Sequence, residues 1–132
     1  MLPARALTAP QKIAVVLAAI FYVGAGSLHF LRPDFYLRIM PPYIPYHAAM
    51  VYLSGFFEIL GGLGLLLAGT RRAAAWGLVA LLIAVFPANI YMATNPVEAG
   101  AASVAPALRW GRLPLQPLFI WWVLWCTRAR TE

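Results

Sequence analysis

Acidic side chains are scarce in this chain of 132 residues, which carries four: Asp34, Glu58, Glu98 and Glu132. Cysteine is scarcer still. Cys126 stands alone, which excludes an intrachain disulfide, a CxxC redox pair and a zinc site built from cysteines. Redox chemistry would therefore need a bound cofactor or a partner protein. Lysine occurs once, at Lys12, and the arginines are scattered at the ends of apolar runs instead of forming a basic face interleaved with aromatics. The net charge of +6 and the pI near 10.1 thus do not point to nucleic acid.

Apolar residues are abundant. They make up 63% of the chain against 11% charged, with a mean hydropathy of +0.78, outside the range of soluble globular domains. The composition reads as an integral membrane protein. A helix needs about 20 mostly apolar residues to span a bilayer, and the runs Ile13 to Leu31, Ala48 to Ala68 and Ala73 to Ala93 meet that length. A fourth run, residues 113–127, contains Pro114 and Pro117, so its helix is expected to begin near Pro114, where a first-turn proline is tolerated. The first run follows Arg5 and Lys12 and includes the small residues Ala25 and Ser27. It is nevertheless longer than a secretory signal core and is read as a span.

The expected fold is all-α: a single domain, an integral membrane four-helix bundle with both termini cytoplasmic and two long outer loops. Its expected place is an inner (cytoplasmic) membrane. Arg5, Lys12, Arg71, Arg72, Arg128 and Arg130 fall on the side shared by the termini and the short turn "GTRR". Arg32, Arg38, Arg109 and Arg112 fall on the other side, and the excess orients the chain with its termini inside. The long loops "RPDFYLRIMPPYIPYH" and "TNPVEAGAASVAPALRWGR" then face outward.

At a rise of about 1.5 Å per residue, His29 and Asn89 lie close to the outer surface, Glu58 lies near the midplane, and Gln116 lies in the outer half. Each span thus supplies one polar side chain to the same half of the bundle. Glu58 stands in "YLSGFFEILGGLGLLLAG", with no other Asp, Glu, Lys or Arg between Arg38 and Arg71. An ionised carboxylate there costs about 2.5 to 3.5 kcal/mol on insertion scales. Intramembrane polar groups face the bundle interior and pair, so the spacing predicts an outward-opening polar pocket floored by Glu58. Small residues at Ser54, Gly55, Gly61 and Gly62, and a stripe of Tyr22, Ala25, Gly26 and His29 on the first span, permit close packing that sets Glu58 below His29.

Each of these residues also has a plainer reading. Glu58 is then a protonated acid holding helices together, and His29 an ordinary satisfied polar group. Asn89 compensates the carbonyl freed by Pro87, Arg109 and Arg112 are interface anchors, and His47 and most of the tryptophans and tyrosines sit at the surface or in aromatic belts. Both histidines lie on one side, which disfavours a bis-histidine haem.

Four segments in order, "GSLHFLRPDFYLRIMPPYIP", "SGFFEILGGLGLLL", "FPANIYMA" and "RLPLQPLFIWWVLW", resemble the DoxX-like family of small four-helix bacterial membrane proteins. The residues matching that pattern include His29, Arg32, Glu58, Asn89, Arg112 and Gln116, which form the expected ligand-binding set. The resemblance implies a non-catalytic subunit of a membrane redox or stress-response complex, with a quinone-like or lipid-like ligand. Its implied partners are the lipid bilayer, a membrane or periplasmic redox protein and further copies of the chain as a homo-oligomer. Two alternatives stand beside it: an assembly factor acting through its outer loops, and a small proton-linked transporter.

Overall fold

The computed structural model describes residues 6–96 and 105–128, so Arg5, Arg130 and residues 97–104 of the third loop lie outside the described residues. The described residues form five helices: α1 (Ala9–Leu31), α2 (Pro33–Ile39), α3 (His47–Gly64), α4 (Arg71–Thr94) and α5 (Pro106–Thr127). The four long helices touch in a closed ring in the order α1, α3, α4, α5, and α2 leans on α1, α3 and α4 at one end.

Helix α1 starts one turn before the expected Ile13. Thr8 caps it, its backbone N–H donating to Gln11 Oε1 at 2.9 Å while Gln11 N–H donates to Thr8 Oγ1 at 3.4 Å, a capping box that satisfies otherwise orphaned donors. The Gln11 amide then donates to the carbonyls of Trp125 (3.0 Å) and Arg128 (2.7 Å), tying the start of α1 to the end of α5. At the same end α3 stops at Gly64, four residues short of the expected Ala68. Its last carbonyls are taken by Thr70 Oγ1, on Gly64 at 2.8 Å, and by Arg71, whose Nε donates to Leu65 at 2.7 Å. Arg71 thus closes a helix end as well as marking a turn.

Two other expectations are corrected. The first loop contains α2, whose Pro33 occupies the first turn, where its missing N–H costs nothing. Helix α5 begins at Pro106, eight residues before Pro114, and carries Pro114 and Pro117 inside it, so Arg109 and Arg112 are helical. Each internal proline withdraws one i to i−4 bond but does not end the helix.

By length and composition α1 and α4 are apolar enough to cross a membrane. Helix α3 contains His47, Glu58 and four glycines, and α5 contains Arg109, Arg112, Gln116 and three prolines, all of which lower hydropathy. The buried core near the capped end comprises Val15, Ala18, Tyr22, Leu65, Leu78 and Val123 with their neighbours. A smaller cluster of Ile39 and Met92, packed by Phe35, Tyr36 and Tyr91, joins α2 to α4 at the other end.

The closest helix approach is between α1 and α3. A Cβ on Gly55 would lie 2.6 Å from His29 Cβ and 2.9 Å from the Gly26 carbonyl oxygen, and a Cβ on Gly26 would lie 2.8 Å from the Gly55 carbonyl oxygen. Backbone sits on backbone there, so the helices must part if either glycine gains a side chain. Gly55→Ala is expected to destabilise the protein by about 1 to 3 kcal/mol, the usual cost of forcing volume into a packed contact. Gly24→Ala, where a Cβ meets nothing within 4 Å, should instead be neutral or gain about 0.5 to 1 kcal/mol of helix stability. Unfolding of both variants in the same detergent measures the difference, and equal behaviour would refute the tight α1–α3 contact.

Candidate functional site

A cavity of about 370 Å³ lies inside the ring beneath α2. Its walls include His29 from α1, Tyr36 from α2, Ser54 and Glu58 from α3, Asn89 from α4, and Arg112 and Gln116 from α5, with Phe21, Val51, Leu82, Val85 and Phe119 among the apolar members. Five of the six expected site residues therefore converge on one space. Arg32 does not. It is exposed at the junction of α1 and α2 and lines a separate surface depression with Asp34 and Arg38, because α2 starts directly after it. Asp34 shares that depression and partly offsets its positive charge.

On the α1–α3 wall His29 is buried, and its Nδ1 lies 3.0 Å from the Ala25 carbonyl oxygen. A carbonyl only accepts, so Nδ1 carries a proton and donates. Glu58 Oε2 is 3.7 Å from the same nitrogen, within ion-pair range but beyond a hydrogen bond. Among the described residues Glu58 makes no hydrogen bond at all. Tyr36 stacks on the His29 ring with centroids 3.8 Å apart at 15°, which fixes α2 over the cavity. Burial and the nearby Glu58 charge hold the Tyr36 phenol above its ordinary pKa of 10.0, while Arg112 pulls it down. Below Glu58, the Tyr22 hydroxyl is fully buried without a partner among the described residues.

The α4–α5 wall is different. Asn89 Nδ2 donates to Gln116 Oε1 at 3.2 Å, and Gln116 Nε2 donates to the Leu82 carbonyl. Pro87 withdraws the amide that would bond Ile83, one residue along, so Gln116 serves the α4 backbone where the proline disturbs it. Asn89 thus bonds a side chain of α5 and not its own helix's freed carbonyl. Arg112, one turn before Gln116, is half-buried and donates from Nη1 to Met92 Sδ at 3.4 Å.

Tyr36 and Ser54 were not among the expected binding residues. Tyr36 lies three residues past Pro33, a spacing that becomes a signal only once "PDFYLRI" is read as a helix. Ser54 lies four residues before Glu58, on the same helical face, a legible signal. Among the described residues no three His, Cys, Asp or Glu side chains gather to hold a metal ion.

The hydrogen bond between Asn89 and Gln116 predicts energetic coupling. A double-mutant cycle of Asn89→Ala and Gln116→Ala, read by unfolding in detergent, should return about 0.5 to 1.5 kcal/mol. Zero coupling would mean that the two amides act separately. Tyr36 adds a second test, since Arg112→Gln removes the charge that lowers its pKa. The Tyr36 phenol, assigned by difference against Tyr36→Phe, should then titrate at higher pH than in the unsubstituted protein, and no change would place Arg112 out of reach of the ring.

A family model described as a domain of unknown function (DUF8561) matches residues 17–127, and the chain belongs to that family. The matched stretch contains every residue that lines the cavity, from Phe21 to Phe119. No curated protein and no solved structure matches the chain.

Proposed function

We propose that this DUF8561 chain is a four-span protein of a bacterial inner membrane, termini inside, which holds a quinone-like or lipid-like molecule in its outward cavity. Its role is that of a non-catalytic subunit of a membrane redox or stress-response complex. The observation that carries the membrane part is the inverted surface of the ring. Apolar side chains point outward on α3 and α5 as well as on α1 and α4: Phe57 is 53% exposed and Trp121 58%, beside Ile20 at 66% and Ile83 at 60%. A core helix of a soluble protein is mostly buried, whereas only 17% of the apolar window of α4 and 33% of that of α1 is covered. Four exposed apolar faces around an interior that holds the buried polar side chains His29 and Gln116 suit hydrocarbon as the solvent.

A concave, largely apolar site of this size with a few convergent polar groups is the usual form of a small-molecule pocket. The redox or stress setting rests on the resemblance of the four quoted segments to the DoxX-like family. His29 and Glu58 can pass a proton if a partner supplies electrons. The packed core beneath the cavity, from Val15 to Val123, speaks against the transporter reading, which needs a route to the other side. The assembly-factor reading draws support from one feature, the mutually satisfied Asn89 and Gln116, which is what a network that only holds helices together requires.

The test is native mass spectrometry of protein released from its own membrane, unsubstituted beside Glu58→Gln, with extraction of any bound small molecule. A stoichiometric quinone or single lipid species present in the first and lost from the second is the expected result. An empty cavity in both, with Glu58→Gln melting at lower temperature, would make Glu58 a structural contact and favour the assembly reading.

A further inference from the structure

Arg112 reaches the cavity with most of its hydrogen-bonding capacity unspent. A guanidinium has five donors, and the partner the structure gives it is a thioether, which accepts weakly. Buried charges are normally paired. The one carboxylate lining the cavity, Glu58, has His29 within ion-pair range, and among the described residues no ion pair joins it to Arg112. Positive and negative groups are therefore held apart in one space. Arg112 lies at the α2 end, beside Met92 and near Tyr36, and Glu58 lies deeper on α3.

We infer that the cavity takes a single-chain amphiphile with an anionic oxygen head group, a carboxylate or a phosphate, seated on Arg112. The inference rests on the cavity reading above and names the chemical class of its ligand. The planar fork of an arginine matches two oxygens of such a head at once, and a neutral carbonyl would leave the charge uncompensated. The charged and titratable groups facing the space decide where the head sits. Glu58 and the Tyr22 hydroxyl give the deep end no positive charge, while Tyr36 offers a hydroxyl donor beside Arg112 at the α2 end, His29 spends its Nδ1 proton on Ala25, and Asn89 on α4 is uncharged and already bonded to Gln116. The remaining walls, Phe21, Val51, Leu82, Val85 and Phe119, suit an alkyl chain. About 370 Å³ is near the small end of ligand pockets, which favours one chain over the two of a membrane phospholipid.

The experiment measures binding of dodecanoate, dodecyl phosphate and uncharged methyl dodecanoate to the full chain in neutral detergent, by counting bound copies in native mass spectra. The proteins are the unsubstituted chain, Arg112→Gln, Arg112→Lys and a cavity-filling Ser54→Phe, each checked by thermal melting without probe. At least one anion should bind about tenfold tighter than the ester, the worth of a charge-assisted hydrogen bond, and the tighter of the two identifies the head. Arg112→Gln should erase that preference, Arg112→Lys should keep part of it, and Ser54→Phe should weaken all three probes. Equal binding of anions and ester, with all lost in Ser54→Phe, would overturn the anionic head while leaving the cavity as a ligand site. Binding of every probe unaffected by Ser54→Phe would overturn the cavity reading itself. If Arg112→Gln fails to fold, Arg112→Lys decides: a reduced preference supports a head seated on Arg112, and an unchanged preference overturns it.

Discussion

The missing side chains of Gly26 and Gly55 set the geometry on which the rest depends. With no Cβ on either, α1 and α3 meet backbone to backbone, and His29 Cβ occupies the place where a Gly55 side chain would stand. Glu58 lies one turn further along α3, so the same contact brings its carboxylate within 3.7 Å of the His29 ring. A wider α1–α3 spacing would leave His29 free to turn outward, and Tyr36 would lose the ring on which it stacks. The hold of α2 on the cavity thus depends on two glycines in helices it merely leans against.

The opposite wall is organised by prolines. Pro87 in α4 and Pro114 and Pro117 in α5 each remove a backbone donor, and helices so interrupted need side chains to restore hydrogen bonding, all the more where no water reaches. Gln116 does this for α4 at Leu82 and is steadied in turn by Asn89. Those two amides are committed to each other and, through Gln116, to the α4 backbone, whereas His29, Glu58 and Arg112 keep capacity in hand. A ligand therefore has more to gain from the α1–α3 wall and from Arg112 than from the pair that looks most polar.

Much of this was legible in the residues. Hydrophobic run length located the four long helices, and small-residue spacing pointed to the side of α1 that packs on α3 at Gly26. Depth counting put His29, Glu58, Asn89 and Gln116 in one half of the ring, and the charge count put Arg112 on the same side. Arg32 entered the expected set through the family resemblance, and it lies apart because the chain turns into α2 directly after it. The start of α5 was misjudged because a proline was read as a boundary. A proline halts a helix in water more readily than in a packed interior, where neighbours absorb the lost bond. Tyr36 escaped notice because seven residues are too few for periodicity to separate a short helix from a loop.

The two ends of the ring spend their polar groups in opposite ways. At one end Thr8, Gln11, Thr70 and Arg71 are all engaged on backbone groups of α1, α3 and α5, above a core closed by Leu65, Leu78 and Val123. Every donor there that meets a helix terminus replaces water in solvating it. At the other end His29 and Glu58 lie within 3.7 Å of each other, while Arg112 has only a thioether for a hydrogen-bond partner, an arrangement that folding alone does not favour, because a charge withdrawn from water without a good partner costs several kcal/mol. The bonds at the first end tie α1 to α5 through Gln11, and the start of α4 to the end of α3 through Thr70 and Arg71, so each tie joins one helix of the α1–α3 wall to one of the α4–α5 wall.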